Sequence, residues 1–137
     1  MNEKALGLLG IARKGGFVQI GEDPVSEVVA SGHARLIILA SDAADHTVRR
    51  AEGLAAQHTT PLVSIENDKA SLGAVFGRSS VAMTAVTDIR LAVHILAAMD
   101  DPARYAEQSE AVRAKAALMA QRKAEKAGRR SKNNRKH

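Results

Sequence analysis

The chain has no cysteine and no tryptophan, and its aromatic residues are one Tyr and two Phe. Without Cys there is no disulfide framework, no thiolate metal site and no cysteine nucleophile, which fits a cytosolic protein. Phe17, Phe76 and Tyr105 are too few to read single-stranded nucleic acid by stacking bases on aromatic side chains. No apolar run approaches the roughly 18 residues that span a bilayer. Met1-Asn2-Glu3-Lys4 lacks the basic-then-apolar layout of a secretory signal, and no membrane partner is expected. Enzyme signatures are equally sparse. There is no P-loop, and Gly7, Gly10, Gly15 and Gly16 follow no strand, so they make no dinucleotide fingerprint. His33, His46, His58, His94 and His137 show no ligand spacing, so neither a metal nor any other cofactor is expected. Glu22-Asp23 and Asp100-Asp101 each precede a proline, a position that helix capping explains without catalysis. Ser79-Ser80 has no base beside it in sequence. The expectation is a protein that is not an enzyme.

What the chain does have is segregated charge. The net charge is +5 over 137 residues. Residues 111–137 hold ten Lys/Arg against one acid, Glu125, a net of +9. The other ten Lys/Arg face fourteen acids, so the first 110 residues carry −4. A cationic segment of that density neutralises several phosphates, with an affinity that is independent of sequence and falls steeply with salt. Arg122, Lys123, Arg129, Arg130 and Lys132 are its candidate RNA contacts.

The body reads as alternating helices and strands. A helix from Glu3 to Lys14, with Leu6, Leu9 and Ala12 at helical spacing, ends at Gly15-Gly16. Phe17 to Ile20 is a short strand, and Asp23-Pro24 reads as a cap followed by the first helical residue. Val25, Val28 and Val29 turn inward, and Gly32 stops that helix. The unbroken run Leu36-Ile37-Ile38-Leu39 marks a strand covered on both faces. Ser41-Asp42 offers a cap for a helix from Thr47 to His58; Leu62 to Ile65 and Val81 to Val86 are further strands. Asp68 begins a short helix, and Thr87-Asp88 caps a helix from Ile89 to Met99. The pattern predicts an α/β fold: a three-layer α/β/α sandwich on a four-stranded mixed sheet, mainly parallel. The first domain is expected over 1–100 and a basic tail over 101–137. Ala103 to Ala127 should be helical, with Tyr105, Val112 and Met119 on one face, and the run after Gly128 should be disordered.

In this order and spacing, several stretches carry a resemblance. They are LLGIARKGG at 8–16, IGED at 20–23, ASGHARLIILASDA at 30–43, TTPLVSIEN at 59–67, LGAVFGR at 72–78 and VAMTAVTD at 81–88. Together they resemble the kink-turn RNA-binding ribosomal proteins, the L seven Ae / L thirty e superfamily, and within it the small bacterial YlxQ-like members. The resemblance implies a fold of this class and an RNA partner, ribosomal RNA or structured mRNA, with the ribosome as a further partner. It implies that a bent RNA loop is held by the turn after the first strand and by the loop before the last strand. The family's turn is typically Gly-Thr-Asn-Glu with a Lys three residues on. Here Gly21 matches, Glu22, Asp23 and Pro24 stand at the next three positions, and Glu27 stands at the Lys. The body residues so implicated are Arg13, Lys14, Gly21, Glu22, Asp23, Arg35, Arg78, Ser79, Ser80 and Val81. The expected protein is a monomeric, cytoplasmic RNA binder whose tail adds affinity. Its alternatives are a protein–protein adaptor, using the acidic turn or the Tyr105-Val112-Met119 face, and an accessory module akin to the substrate-binding domains of RNA methyltransferases.

Overall fold

The run Leu36-Ile37-Ile38-Leu39 forms a strand whose four side chains are all buried, and the sheet is built around it. The computed structural model describes residues 1–135, with side chains through Arg130. In chain order the elements are α1 (Glu3–Lys14), β1 (Val18–Ile20), α2 (Glu22–Ala30), β2 (Leu36–Leu39), α3 (Asp45–His58), β3 (Leu62–Ser64), α4 (Lys69–Val75), β4 (Met83–Val86), α5 (Ile89–Ala97) and α6 (Ala106–Arg135). The strands form one sheet in the order β1-β4-β2-β3. Alternate residues of β2 face opposite layers, as a pleated strand requires. Leu36 and Ile38 join Leu9, Leu72, Phe76 and Ile95 beneath α1, α4 and α5. Ile37 and Leu39 join Val25, Val29 and Ala51 beneath α2 and α3. The three-layer mixed sandwich is therefore present.

The sheet is not mainly parallel. Only β2 and β3 pair parallel; β4 runs antiparallel to both β1 and β2. The cause lies in the return from α4. Val81 donates its N–H to Lys69 O at 3.0 Å, so the chain re-enters the sheet at the end where α4 began. A seven-residue helix rises only about 10 Å, too little to carry the chain across to the far end.

Local corrections follow from hydrogen bonding. Asp68 and Asp88 cap α4 and α5 as expected, accepting from Ser71 N at 2.8 Å and Leu91 N at 2.9 Å. Asp23 caps nothing: α2 starts at Glu22, with Gly21 as its cap residue at φ 98°, a conformation that suits glycine. Pro24 sits third in the helix, where its missing N–H is still one of the free amides of the first turn. Asp42 does not cap α3, which begins at Asp45; it accepts from Lys69 N at 2.7 Å and ties two loops together.

The expected disordered run after Gly128 is helical instead, since α6 is unbroken through Gly128 to Arg135; Lys136 and His137 lie outside the described residues. The residue before α6 and its first turns belong to the core, where Tyr105 and Val112 are 6% and 1% exposed. Along β3, the edge strand, Tyr105 Oη donates to Ser64 O at 3.0 Å and Gln108 Nε2 to Leu62 O at 3.2 Å. Strand edges with free carbonyls invite pairing with other chains; here a helix from the same chain covers the edge.

Candidate nucleic-acid interface

The turn after β1 and the loop before β4 meet at one end of the sheet. Gly21 N donates to Met83 O at 2.9 Å, which fixes the start of α2 beside the segment Arg78–Val81. That segment is clamped onto α4 by Gly73. A Cβ at Gly73 would lie 2.7 Å from Arg78 O and 2.9 Å from Ser80 N, both backbone atoms. Arg78 N also donates to Gly73 O at 2.9 Å. Gly73 lies within the LGAVFGR landmark, but its spacing gave no hint of this close approach; only the fold brings helix and loop together.

This end is acidic. The first turn of α2 carries Glu22 and Asp23, Asp42 precedes α3 and Asp45 begins it, and Glu66 and Asp68 precede α4, against Lys69 and Arg78 at the same end. Acids at helix starts are favoured by the helix dipole, and the starts of α2, α3 and α4 all lie here. Asp23 pairs with Arg50 at 2.9 Å, a pair exposed enough to be worth at most about 1 kcal/mol. Glu22 turns one carboxylate oxygen, Oε1, into the protein where no protein group bonds it. The Asp68 carboxyl is held below its ordinary range by the hydrogen bond from the Ser71 amide. Pro24 withdraws one amide from the donors that a helix start offers to phosphate.

Arg13, Lys14 and Arg35 are not part of this site. They sit at the opposite end of the sheet, about 13 Å away along the four residues of β2. Phe17 N donates to Ala12 O and Thr87 N to Phe17 O, each at 2.8 Å, placing the end of α1 there. Arg35 N donates to Val86 O at 2.8 Å on the next strand. Arg90, in the first turn of α5, and Lys115 of α6 join this end. The structure thus divides the ten candidate residues of the body. Gly21, Glu22, Asp23, Arg78, Ser79, Ser80 and Val81 occupy an acidic end, and Arg13, Lys14 and Arg35 a basic one.

Helix α6 leads to the basic end. Its contacts descend from Ser64 through Leu62 to a groove of about 510 Å³ that includes Arg35, His58, Thr59, Lys115 and Leu118. Beyond Met119 the helix leaves the body, carrying Arg122, Lys123, Arg129 and Arg130, all exposed. Lys132 lies in the last turns of α6, outside the residues whose side chains are described. Sequence reasoning missed Arg90 and Lys115, because a position on a helix does not reveal which end of the sheet the helix approaches. Among the described residues no group of three His, Asp or Glu side chains is placed to hold a metal ion, and no helix is long and apolar enough to cross a membrane.

Comparison with known proteins agrees with this architecture. A Bacillus subtilis protein named RNA-binding protein YlxQ is 29% identical over 93 residues, covering 68% of this chain and 92% of the relative. A solved structure of a Bacillus halodurans protein of unknown function superposes with a TM-score of 0.62 at 30% identity, covering 69% of this chain and 98% of the other. Residues 3–93, from the first residue of α1 into α5, match one family throughout. The chain belongs to the ribosomal protein L7Ae/L30e/S12e/Gadd45 family.

Proposed function

We propose that this chain is a non-catalytic, cytoplasmic RNA-binding protein that recognises structured RNA of kink-turn or ribosomal type as a monomer. The observation that carries the reading is the meeting of the Gly21 turn and the Arg78–Val81 loop, held by the bond from Gly21 N to Met83 O. This pair of elements is the one the family resemblance assigns to a bent RNA. The name of the B. subtilis relative supports the same partner class. The basic helix α6 supplies the sequence-independent share of the affinity.

The turn tempers the kink-turn share. Glu22, Asp23 and Glu27 bring carboxylates toward the phosphate position, each costing on the order of 1 kcal/mol near a surface and less in salt. Arg50 offsets Asp23 in part. The adaptor alternative loses one of its two surfaces, because Tyr105 and Val112 are buried within the chain's own core. Crosslinking in cells followed by sequencing of the bound RNA tests the reading. Enrichment of one ribosomal or structured mRNA element is expected, and uniform background would overturn it.

A further inference from the structure

We infer that the basic end of the molecule, with the projecting half of α6, is a second RNA-contacting surface that grips the phosphate backbone of a duplex. This rests on the RNA-binding reading and adds to it a site on the opposite pole from the Gly21 turn.

Four observations carry it. The first is the phase of the cations on α6. At 100° per residue, Arg122, Lys123, Lys126, Arg129 and Arg130 fall within about 120° of the helix circumference, whereas the positions of Arg113, Lys132 and Arg135 fall outside that arc. Lys115, about two to four turns nearer the body, falls on the same stripe. The one acid of the segment, Glu125, borders the stripe and accepts from Gln121 Nε2 at 3.2 Å. A tail acting by charge alone has no need of phase.

The second is where the stripe leads. It runs into the groove where Arg35 and Lys115 lie with His58 and the hydroxyl residues Thr59 and Thr60. Arg35 uses Nη1 to donate to Gly32 O at 3.2 Å, while its enclosed Nε has no partner in the protein. The enclosed Nε cannot reach a ligand from outside; it is the charge of a guanidinium beside a lysine that suits the groove to phosphate.

The third is electrostatic polarity. Arg13, Lys14, Arg35, Arg90 and Lys115 occupy this end, where the Asp88 carboxylate is already engaged by Leu91 N. The acids of the Gly21 end repel phosphate, so an approaching duplex is steered to the opposite pole.

The fourth is the shape and chemistry of the arm. From Ala120 to Arg135 the helix extends about 24 Å and carries no aromatic residue. An arm of cations without aromatic rings fits the backbone of a paired helix rather than unstacked bases.

The experiment changes the phase and keeps the charge. One Ala inserted after Ala120 rotates the distal stripe by about 100°, whereas four inserted Ala return it to within about 40°. Binding of the full chain to a 20-base-pair RNA duplex and to a kink-turn RNA whose two stems are cut to a few base pairs is measured at several salt concentrations. The one-residue insertion is expected to weaken duplex binding at least fivefold, with the four-residue insertion within threefold of the native chain. Arg35→Gln combined with Lys115→Gln should also flatten the salt slope by about 1.8, two phosphate contacts being removed. A loss of less than fivefold on the one-residue insertion overturns the inference and leaves α6 a source of charge only. Failure of the native chain to bind either RNA overturns the underlying RNA reading as well, so the two failures are distinct.

Discussion

Replacing Val112 with Ala tests whether α6 is part of the folded body. Val112 is 1% exposed and packs in the same cluster as Leu96, Met99 and Tyr105. The change removes two buried carbons at about 0.8 kcal/mol each, and partial collapse of the space left behind adds somewhat more. Ala is the better helix former by about 0.5 kcal/mol, which opposes the loss. The net expectation is about 1.5–2 kcal/mol of destabilisation, a fall of roughly 6 °C in Tm for a chain of this size. The two contributions have opposite signs, and this is what makes the test sharp. Were α6 detached from the body, only the propensity gain would remain, and V112A would unfold at or above the native temperature. Thermal denaturation followed by circular dichroism, with Met119→Ala as a half-buried comparison, reads the difference. A neutral or stabilising V112A would refute the docked helix and the covered β3 edge with it.

Two further outcomes are expected. Gly73→Ala forces the Arg78–Ser80 backbone off α4, costing about 1–3 kcal/mol; kink-turn RNA binding should weaken while binding to the plain duplex is retained, and equal loss on both RNAs would count against two separate surfaces. Burial pushes the Tyr105 hydroxyl above its ordinary value of 10.0. Because the folded value is the higher one, the stabilisation is complete below pH 10 and is lost as pH rises through the folded value. The chain has a single Tyr, so phenolate absorbance reports it directly, and a native midpoint at or below that of the urea-unfolded chain would refute the docking of its ring.

Much of this fold was legible because its signals are local. The β2 run declares burial on both faces by composition alone, and Asp68 and Asp88 cap the helices that follow them as side-chain chemistry dictates. Strand direction was not legible. It depends on whether α4 travels the length of the sheet, which the Val81–Lys69 bond decides through space. The site was half legible for the same reason. The Gly21 turn and the Arg78–Val81 loop are separate words in the sequence that the register of β1 on β4 joins. Arg35 looked like their neighbour because it lies close in sequence, yet the length of a strand separates them. The tail was misread at Gly128 because a lone glycine weakens a helix by only about 1 kcal/mol, and strong helix formers precede it.

The covering of β3 by α6 also sets an order of events during synthesis. The strand's open edge is made well before Tyr105 and Gln108, the two residues that close it. At about 5–20 residues per second, the stretch from Leu62 to Gln108 takes roughly 2–9 s to complete. Throughout that interval the nascent body carries an unpaired strand edge bearing the free carbonyls of Leu62 and Ser64. Premature termination before Tyr105 therefore yields more than a protein without its tail helix. It yields one with an adhesive edge, whose fate is set by how quickly other strands find it.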